Sequence, residues 1–229
     1  MESTLVATVL WPGASWFAAG VLLGAMLGWL ASRLYSGWKL SQHAREIQTL
    51  SVQARTDPLT GLANRRVLED EFARRLALWR EQKTPLVLVI ADIDHFKNIN
   101  EEHGFSAGDA ALKHLASVMT GTLRQTDLVA RYGGDEFAML LAAEGEHATS
   151  LAIGRLVRAL GDAPPLFDGA PLPLTVSFGA TSPESGVSPA EVFRRADAAL
   201  KSAKRAGRDC AFWYRENAAA PLPIEQVPA

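Results

Sequence analysis

Residues 85–94, PLVLVIADID, are apolar at every position from Leu86 to Ala91 and then close on two carboxylates, Asp92 and Asp94. A continuous Leu/Val/Ile run of this length predicts a strand buried on both faces, so the sheet that holds it must be covered by other layers. The neighbouring segments supply those layers. TDPLTGLANRR (56–66) carries Pro, Gly and Asn and reads as a structured loop leading into a helix over 65–82. SAGDAALKHLASVMTGTL has helical spacing, with Leu112, Leu115 and Met119 on one face. DLVARYGGDEFAMLLA reads as two strands joined at Gly133-Gly134, a hairpin signal. A helix over 147–160, a strand in LTVSFGAT, a helix over 188–206 and a last strand in CAFWY follow. The alternation predicts an α+β fold, a largely antiparallel sheet flanked by helices. From 216 to 229 the tail is rich in Ala and Pro and is expected to be disordered.

At 229 residues the chain can hold one good core and an appendage. A net charge of −2 without a basic stripe argues against a nucleic-acid partner. The single cysteine, Cys210, permits neither a disulfide framework nor a thiolate metal site, and its apolar setting reads as core.

The amino terminus has a different character. No charged residue lies between Glu2 and Arg33, and 15–34 matches the roughly 20 residues that cross a hydrocarbon core. Trp16, Trp29, Tyr35 and Trp38 stand near its ends, where amphipathic rings favour the interface. A cleavable signal peptide would need a positive n-region, and only Glu2 precedes the run. Arg33, Lys39 and Arg45 follow it, so the positive-inside rule puts the remainder in the cytoplasm, behind a single membrane pass. Gly20, Gly24 and Gly28 recur every fourth residue, a spacing that lets two membrane helices approach, although Gly is common in such helices anyway. Residues 36–56 are polar, with Leu40, Ile47, Leu50 and Ala54 forming a short heptad seam. They read as a helical stalk and a parallel dimer contact. The expected organisation is therefore a segment 1–35 with the span, a stalk 36–56, a folded domain 57–215 and the tail 216–229.

Asp92 and Asp94, two apart on a strand, face the same way. With the hairpin beside that strand, Asp135 and Glu136 come close to them. Several carboxylates in one partly buried place repel one another, and a hard divalent cation resolves this, Mg²⁺ being usual where phosphates complete its ligands. Solvated turn acids are the plainer alternative. Lys97 follows Asp92 closely, and KRAGR brings Lys204 and Arg208 to the end of the last helix. Cations at a helix end often only complement its dipole. Together with the acids they point to a nucleoside triphosphate.

Five motifs in order, DPLTGLANRR, DIDHFKNIN, GFSAGD, RYGGDEF and RADAALKSAKRAGR, resemble those of the GGDEF-domain diguanylate cyclases, over residues 56 to about 214. The resemblance implies a palm-like fold related to adenylyl cyclase catalytic domains, and condensation of two GTP into cyclic di-GMP with release of two pyrophosphates. It implies that Asp92, Asp135 and the Ile93 carbonyl hold the metal, Mg²⁺ or Mn²⁺ in its place, with Glu136 in support and Asp135 activating the 3′-hydroxyl. Lys97, Lys204, Arg208 and backbone near Phe96 would hold the triphosphate, and Gly133 and Gly134 would let the backbone approach it. Asn100 and Asp109 would read guanine, whose adjacent N–H donors suit an acceptor-only carboxylate. Arg124 and Asp127, as RxxD, and Arg155 would bind the product as an inhibitor. The pattern departs at NEEHGF, where Glu101 and Phe105 replace the usual Asp and His. A two-fold product implies a homodimer, and the resemblance together with the span implies a bacterial inner membrane. The competing expectation is a silent domain that binds cyclic di-GMP or a protein partner, although silent members usually lose the signature that is intact here.

Overall fold

The computed structural model describes residues 22–30, 32–35, 55–215 and 220–224. The chain divides into two units, Met1–Ala54 and Arg55–Ala229. In the first, residues 22–30 and 32–35 are helical, and Leu22, Leu23, Met26, Leu27, Trp29 and Leu34 are all exposed. Among the described residues no helix is long and apolar enough to cross a membrane, and the expected span over 15–34 begins outside them. The expected stalk also lies outside them, apart from Arg55 and Thr56.

The second unit follows the order β1 (Ala63–Asn64), α1 (Arg65–Gln82), β2 (Val87–Ile93), α2 (Phe96–His103), α3 (Phe105–Thr122), β3 (Leu128–Arg131), β4 (Glu136–Leu141) and α4 (Gly145–Asp162). A small β5–β6 ribbon (Leu166–Phe167, Ala170–Pro171), β7 (Val176–Thr181), α5 (Pro189–Arg205), β8 (Ala211–Trp213) and β9 (Leu222–Pro223) complete it. The main sheet runs β1-β3-β4-β2-β7-β8-β9. Its centre, β3-β4-β2-β7, is antiparallel as expected, but β1–β3 and β7–β8 pair parallel, so the sheet is mixed.

All seven residues of β2 are buried because both faces are covered. Val87, Val89, Ala91 and Ile93 pack with Leu112, Leu115 and Met119 of α3 and Ile153 and Leu156 of α4. Leu88 and Ile90 pack with Leu68, Phe72 and Leu76 of α1 and Val192, Ala196 and Leu200 of α5. Asp92 continues the second series, so strand alternation turns it toward α5. That helix starts at Ser188, whose side chain accepts from the Glu191 N–H, and has Pro at its first turn. It lies directly on β7: a Cβ on Gly179 would stand 2.1 Å from the Leu200 nitrogen. The close seating fixes where the last turn of α5 arrives.

Several elements depart from expectation, the two-residue β1 and the β5–β6 ribbon among them. α2 was not anticipated; it is eight residues long and follows His95, which has a left-handed φ of 54° and gives no side-chain cap. The tail expected to be disordered is ordered at 220–224, where β9 pairs with β8 and Ile224 is buried. Proline suits this position because an edge strand has a side with no ladder to complete.

Candidate functional site

Asp92 sits near the end of β2, in register with Glu136 on β4 and Ser177 on β7. It is only 6% exposed. Lys204, from the last turn of α5, brings Nζ to 2.5 Å from Asp92 Oδ1. This ion pair is what buried Oδ1 has in place of a conventional hydrogen bond. Burial pushes the Asp92 carboxyl above the usual range; the Lys204 ammonium pulls it back, and the charges of Asp135 and Glu136 push it up again. Asp135 joins through the backbone, its carbonyl accepting from the Ile93 N–H at 3.3 Å.

Among the described residues no three His, Cys, Asp or Glu side chains are spaced to hold a metal ion. The donors at this place are two carboxylates and a main-chain carbonyl. A desolvated carboxylate in the field of two further acids, with a single ammonium against it, fits a hard divalent cation, which takes oxygen ligands and fills its remaining positions from phosphate or water.

Asp94 was grouped with these acids on alternation alone, and the structure removes it from them. Its carboxylate accepts from Ser177 Oγ at 2.7 Å, Thr175 Oγ1 at 3.0 Å and the Asp209 N–H at 2.9 Å. It belongs to the scaffold.

The signature turn is not a two-residue hairpin of the glycine type. Neither Gly133 nor Gly134 is among the positive-φ glycines, and a type I′ turn requires that conformation. Space is what the glycines supply: a Cβ on Gly133 would meet Glu136 Oε2 at 2.6 Å, and nothing lies within 4 Å of one on Gly134. Arg131 grips the turn, donating to the Gly134 carbonyl from Nε at 3.1 Å and Nη2 at 2.7 Å. Its Nη1 reaches both Asp57 oxygens at 3.2 Å. Asp57 also accepts from Thr60 N–H at 2.8 Å and Thr60 Oγ1 at 2.7 Å. Burial raises the Asp57 pKa, but the Thr60 donors and the Arg131 charge outweigh it and hold the carboxyl below the ordinary value. Tyr132, next in the turn, lies under the Arg65 guanidinium at 4.6 Å and stacks on Phe193 at 5.7 Å. Asp57 and Arg131 were not anticipated as site residues. The only local signal was an Asp three before a Thr in a turn-rich stretch.

The base and phosphate candidates lie on α2 and α3. Phe96 opens α2; there is no side-chain cap, and while the Asn98 and Ile99 N–H groups donate to the His95 carbonyl at 2.8 and 3.3 Å, those of Phe96 and Lys97 precede the helical ladder and suit an anion. Lys97 is exposed, with Nζ 3.3 Å from Glu101 one turn on. Asn100 leans across α3: an ideal Cβ on Gly108 would stand 2.0 Å from Asn100 Oδ1. Gly108 is thus a site residue that the motif reading passed over, although a glycine within a helix pattern does signal close approach. Asp109 and Phe105 are both exposed on the first two turns of α3. Of the three expected cations, Lys204 meets the acids, Lys97 pairs with Glu101, and Arg208 is exposed beyond α5 with φ 67°.

Arg124, Asp127 and Arg155 converge. All three line one cavity of about 350 Å³, with Leu141, Glu144 and Leu151. Asp127 is already engaged, accepting from the Arg124 N–H at 3.0 Å and the Ala142 N–H at 2.9 Å, so its carboxylate also holds the walls together.

The family profile described as diguanylate cyclase, GGDEF domain, matches residues 54–210. Diguanylate cyclase DgcP of Pseudomonas aeruginosa is 45% identical over 157 residues, 69% of this chain and 23% of that one. TpbB, a diguanylate cyclase of the same species, is 40% identical over 165 residues, 71% and 38% of the two chains. The chain thus spans well under half the length of either relative. The solved coiled coil and GGDEF domain of DgcB from Caulobacter crescentus, in complex with c-di-GMP, matches with a TM-score of 0.65 at 33% identity, covering 79% of this chain and 96% of that one.

Proposed function

The chain belongs to the GGDEF family of diguanylate cyclase domains, and from that premise we propose that its residues 57–215 condense two GTP into cyclic di-GMP and two pyrophosphates. The observation that carries the reading is the buried Asp92 carboxylate, desolvated, within the field of Asp135 and Glu136 and, among the described residues, ion-paired only to Lys204.

Asp92, Asp135 and the Ile93 carbonyl would hold Mg²⁺, with Mn²⁺ as a substitute. When bound, the ion supplies a Lewis acid that polarises the α-phosphate and lowers the pKa of the attacking 3′-hydroxyl. Asp135, on the open turn that Gly134 leaves uncovered, takes the proton of that hydroxyl. Lys204 stabilises Asp92 until a triphosphate arrives to share the same ammonium, and Lys97 and Arg208 add charge from α2 and from beyond α5. Asn100 and Asp109 select guanine: an adenine would leave the acceptor-only carboxylate unpaired, and such a mismatch discriminates strongly.

Each domain carries one set of these groups, so the reaction takes two chains facing each other. The charge-free run before Arg33, with its exposed apolar side chains, supports a membrane anchor, and the 36–56 seam supports a parallel tether. The Arg124–Asp127–Arg155 cavity suits the product as an inhibitor, because guanidinium forks pair with phosphate and a carboxylate pairs with guanine.

The test is purified protein incubated with GTP and Mg²⁺ and resolved by nucleotide chromatography, beside Asp135→Asn. Cyclic di-GMP from the wild type and almost none from the variant is expected. No product at high protein concentration, with product binding retained, would instead identify a receptor domain.

A further inference from the structure

Asp94 has no part in the chemistry above, yet it is 4% exposed and takes three donors on one carboxylate. Two of the donors, Thr175 and Ser177, belong to β7 and its approach. The third is the main-chain N–H of Asp209, beyond α5. The backbone there is unusual: φ is 118° at Gly207, 67° at Arg208 and 47° at Asp209. Consecutive left-handed residues with side chains persist only where the surroundings hold them. Two bonds do so here. The Arg208 N–H donates to the Ala203 carbonyl at 3.1 Å, and the Asp209 N–H donates to Asp94 Oδ2 at 2.9 Å. Arg208 is therefore fastened on one side by the end of α5 and on the other by Asp94.

We propose that Asp94 is a positioning residue for triphosphate binding: by capturing the Asp209 N–H it fixes the left-handed backbone from which the Arg208 guanidinium leaves. This rests on the reading of Arg208 as a triphosphate ligand. The residue type is suited to the task. A carboxylate is acceptor-only and can take all three donors. Asparagine could keep the Asp209 bond with its oxygen in the Oδ2 place, because its amide nitrogen then takes the Oδ1 place, where the Ser177 hydroxyl can rotate to accept. Alanine cannot keep it.

The test is steady-state kinetics on the full chain. Asp94→Ala is expected to raise the KM for GTP about tenfold with a smaller change in kcat, and Asp94→Asn is expected to restore most of the loss. Arg208→Ala is expected to match Asp94→Ala, and the double variant to be no worse than Arg208→Ala, since one residue acts through the other. Ser177→Ala, which removes a different donor to the same carboxylate, is expected to lower thermal stability and leave KM unchanged. Should the alanine variant not fold, Asp94→Ser, whose hydroxyl ends short of the Asp209 N–H, carries the same expectation. The proposal is overturned if Asp94→Ala leaves KM unchanged while Arg208→Ala raises it. It is equally overturned if the two effects multiply, or if Ser177→Ala raises KM as much. If Arg208→Ala itself leaves KM unchanged, the reading of Arg208 falls and this proposal falls with it.

Discussion

Gly108→Ala separates stability from function in one methyl group. In an isolated helix the change favours folding by about 1 kcal/mol. Here the new Cβ would stand 2.0 Å from Asn100 Oδ1 and 3.1 Å from Phe96 Cζ. The first overlap is with the free end of a side chain, which can rotate away at about 0.5–1.5 kcal/mol. The two terms nearly cancel, so the melting temperature should move by no more than about 1–2 °C in either direction. The carboxamide, however, is now out of place. Losing one neutral hydrogen bond to guanine, about 0.5–1.5 kcal/mol, should raise the KM for GTP about two- to twelvefold and narrow the preference over ATP. Circular-dichroism melting and kinetics with both nucleotides measure the two effects on one preparation. An unchanged KM would refute the placement of Asn100 against the base. A melting temperature lower by more than about 10 °C would show that Gly108 serves packing instead.

Arg131→Ala removes the grip on the Gly134 carbonyl and leaves Asp57 only its Thr60 donors. It should cost about 1.5–3 kcal/mol in urea unfolding and lower kcat more than it raises KM, and unchanged kcat would disconnect this pair from the site. Arg155→Ala should relieve product inhibition without altering the initial rate; a progress curve that flattens at the same product level would remove the cavity from regulation. Glu71 is held at a pKa of about 2 rather than 4.5, chiefly by the Arg74 hydrogen bond, with burial opposing and Arg75 assisting. A depressed folded-state pKa means stability that is present above 4.5 and lost as pH falls toward 2. Unfolding measured across that window should therefore be less pH-dependent in Glu71→Gln than in the wild type.

What could be read in advance followed from periodicity and local chemistry. The β2 run and the α1 pattern announce themselves because burial on two faces, or on one stripe, leaves a repeating mark. α2 left none: eight residues give barely two turns, and a left-handed His95 replaces the usual capping side chain. Asp57 and Arg131 are 74 residues apart, and no spacing rule relates side chains across such a distance. Asp94 misled for a related reason. Alternation correctly gave its face, but only the fold shows that Ser177, Thr175 and Asp209 are waiting there. Arg124 and Asp127 were legible as a four-residue motif, whereas Arg155 came with the family pattern and needed α4 to bring it to the same cavity.

The β9 strand bears on how copies of this domain can meet. An outermost strand with unused donors invites a second chain to extend the sheet, the first step toward aggregates. Here the last strand is two residues long, and one of them, Pro223, has no N–H to offer a newcomer. Among the described residues that border offers a second copy little backbone to pair with. A chain cut before residue 220 would trade a sealed border for the bare rim of β8, and solubility, more than catalysis, would record the loss.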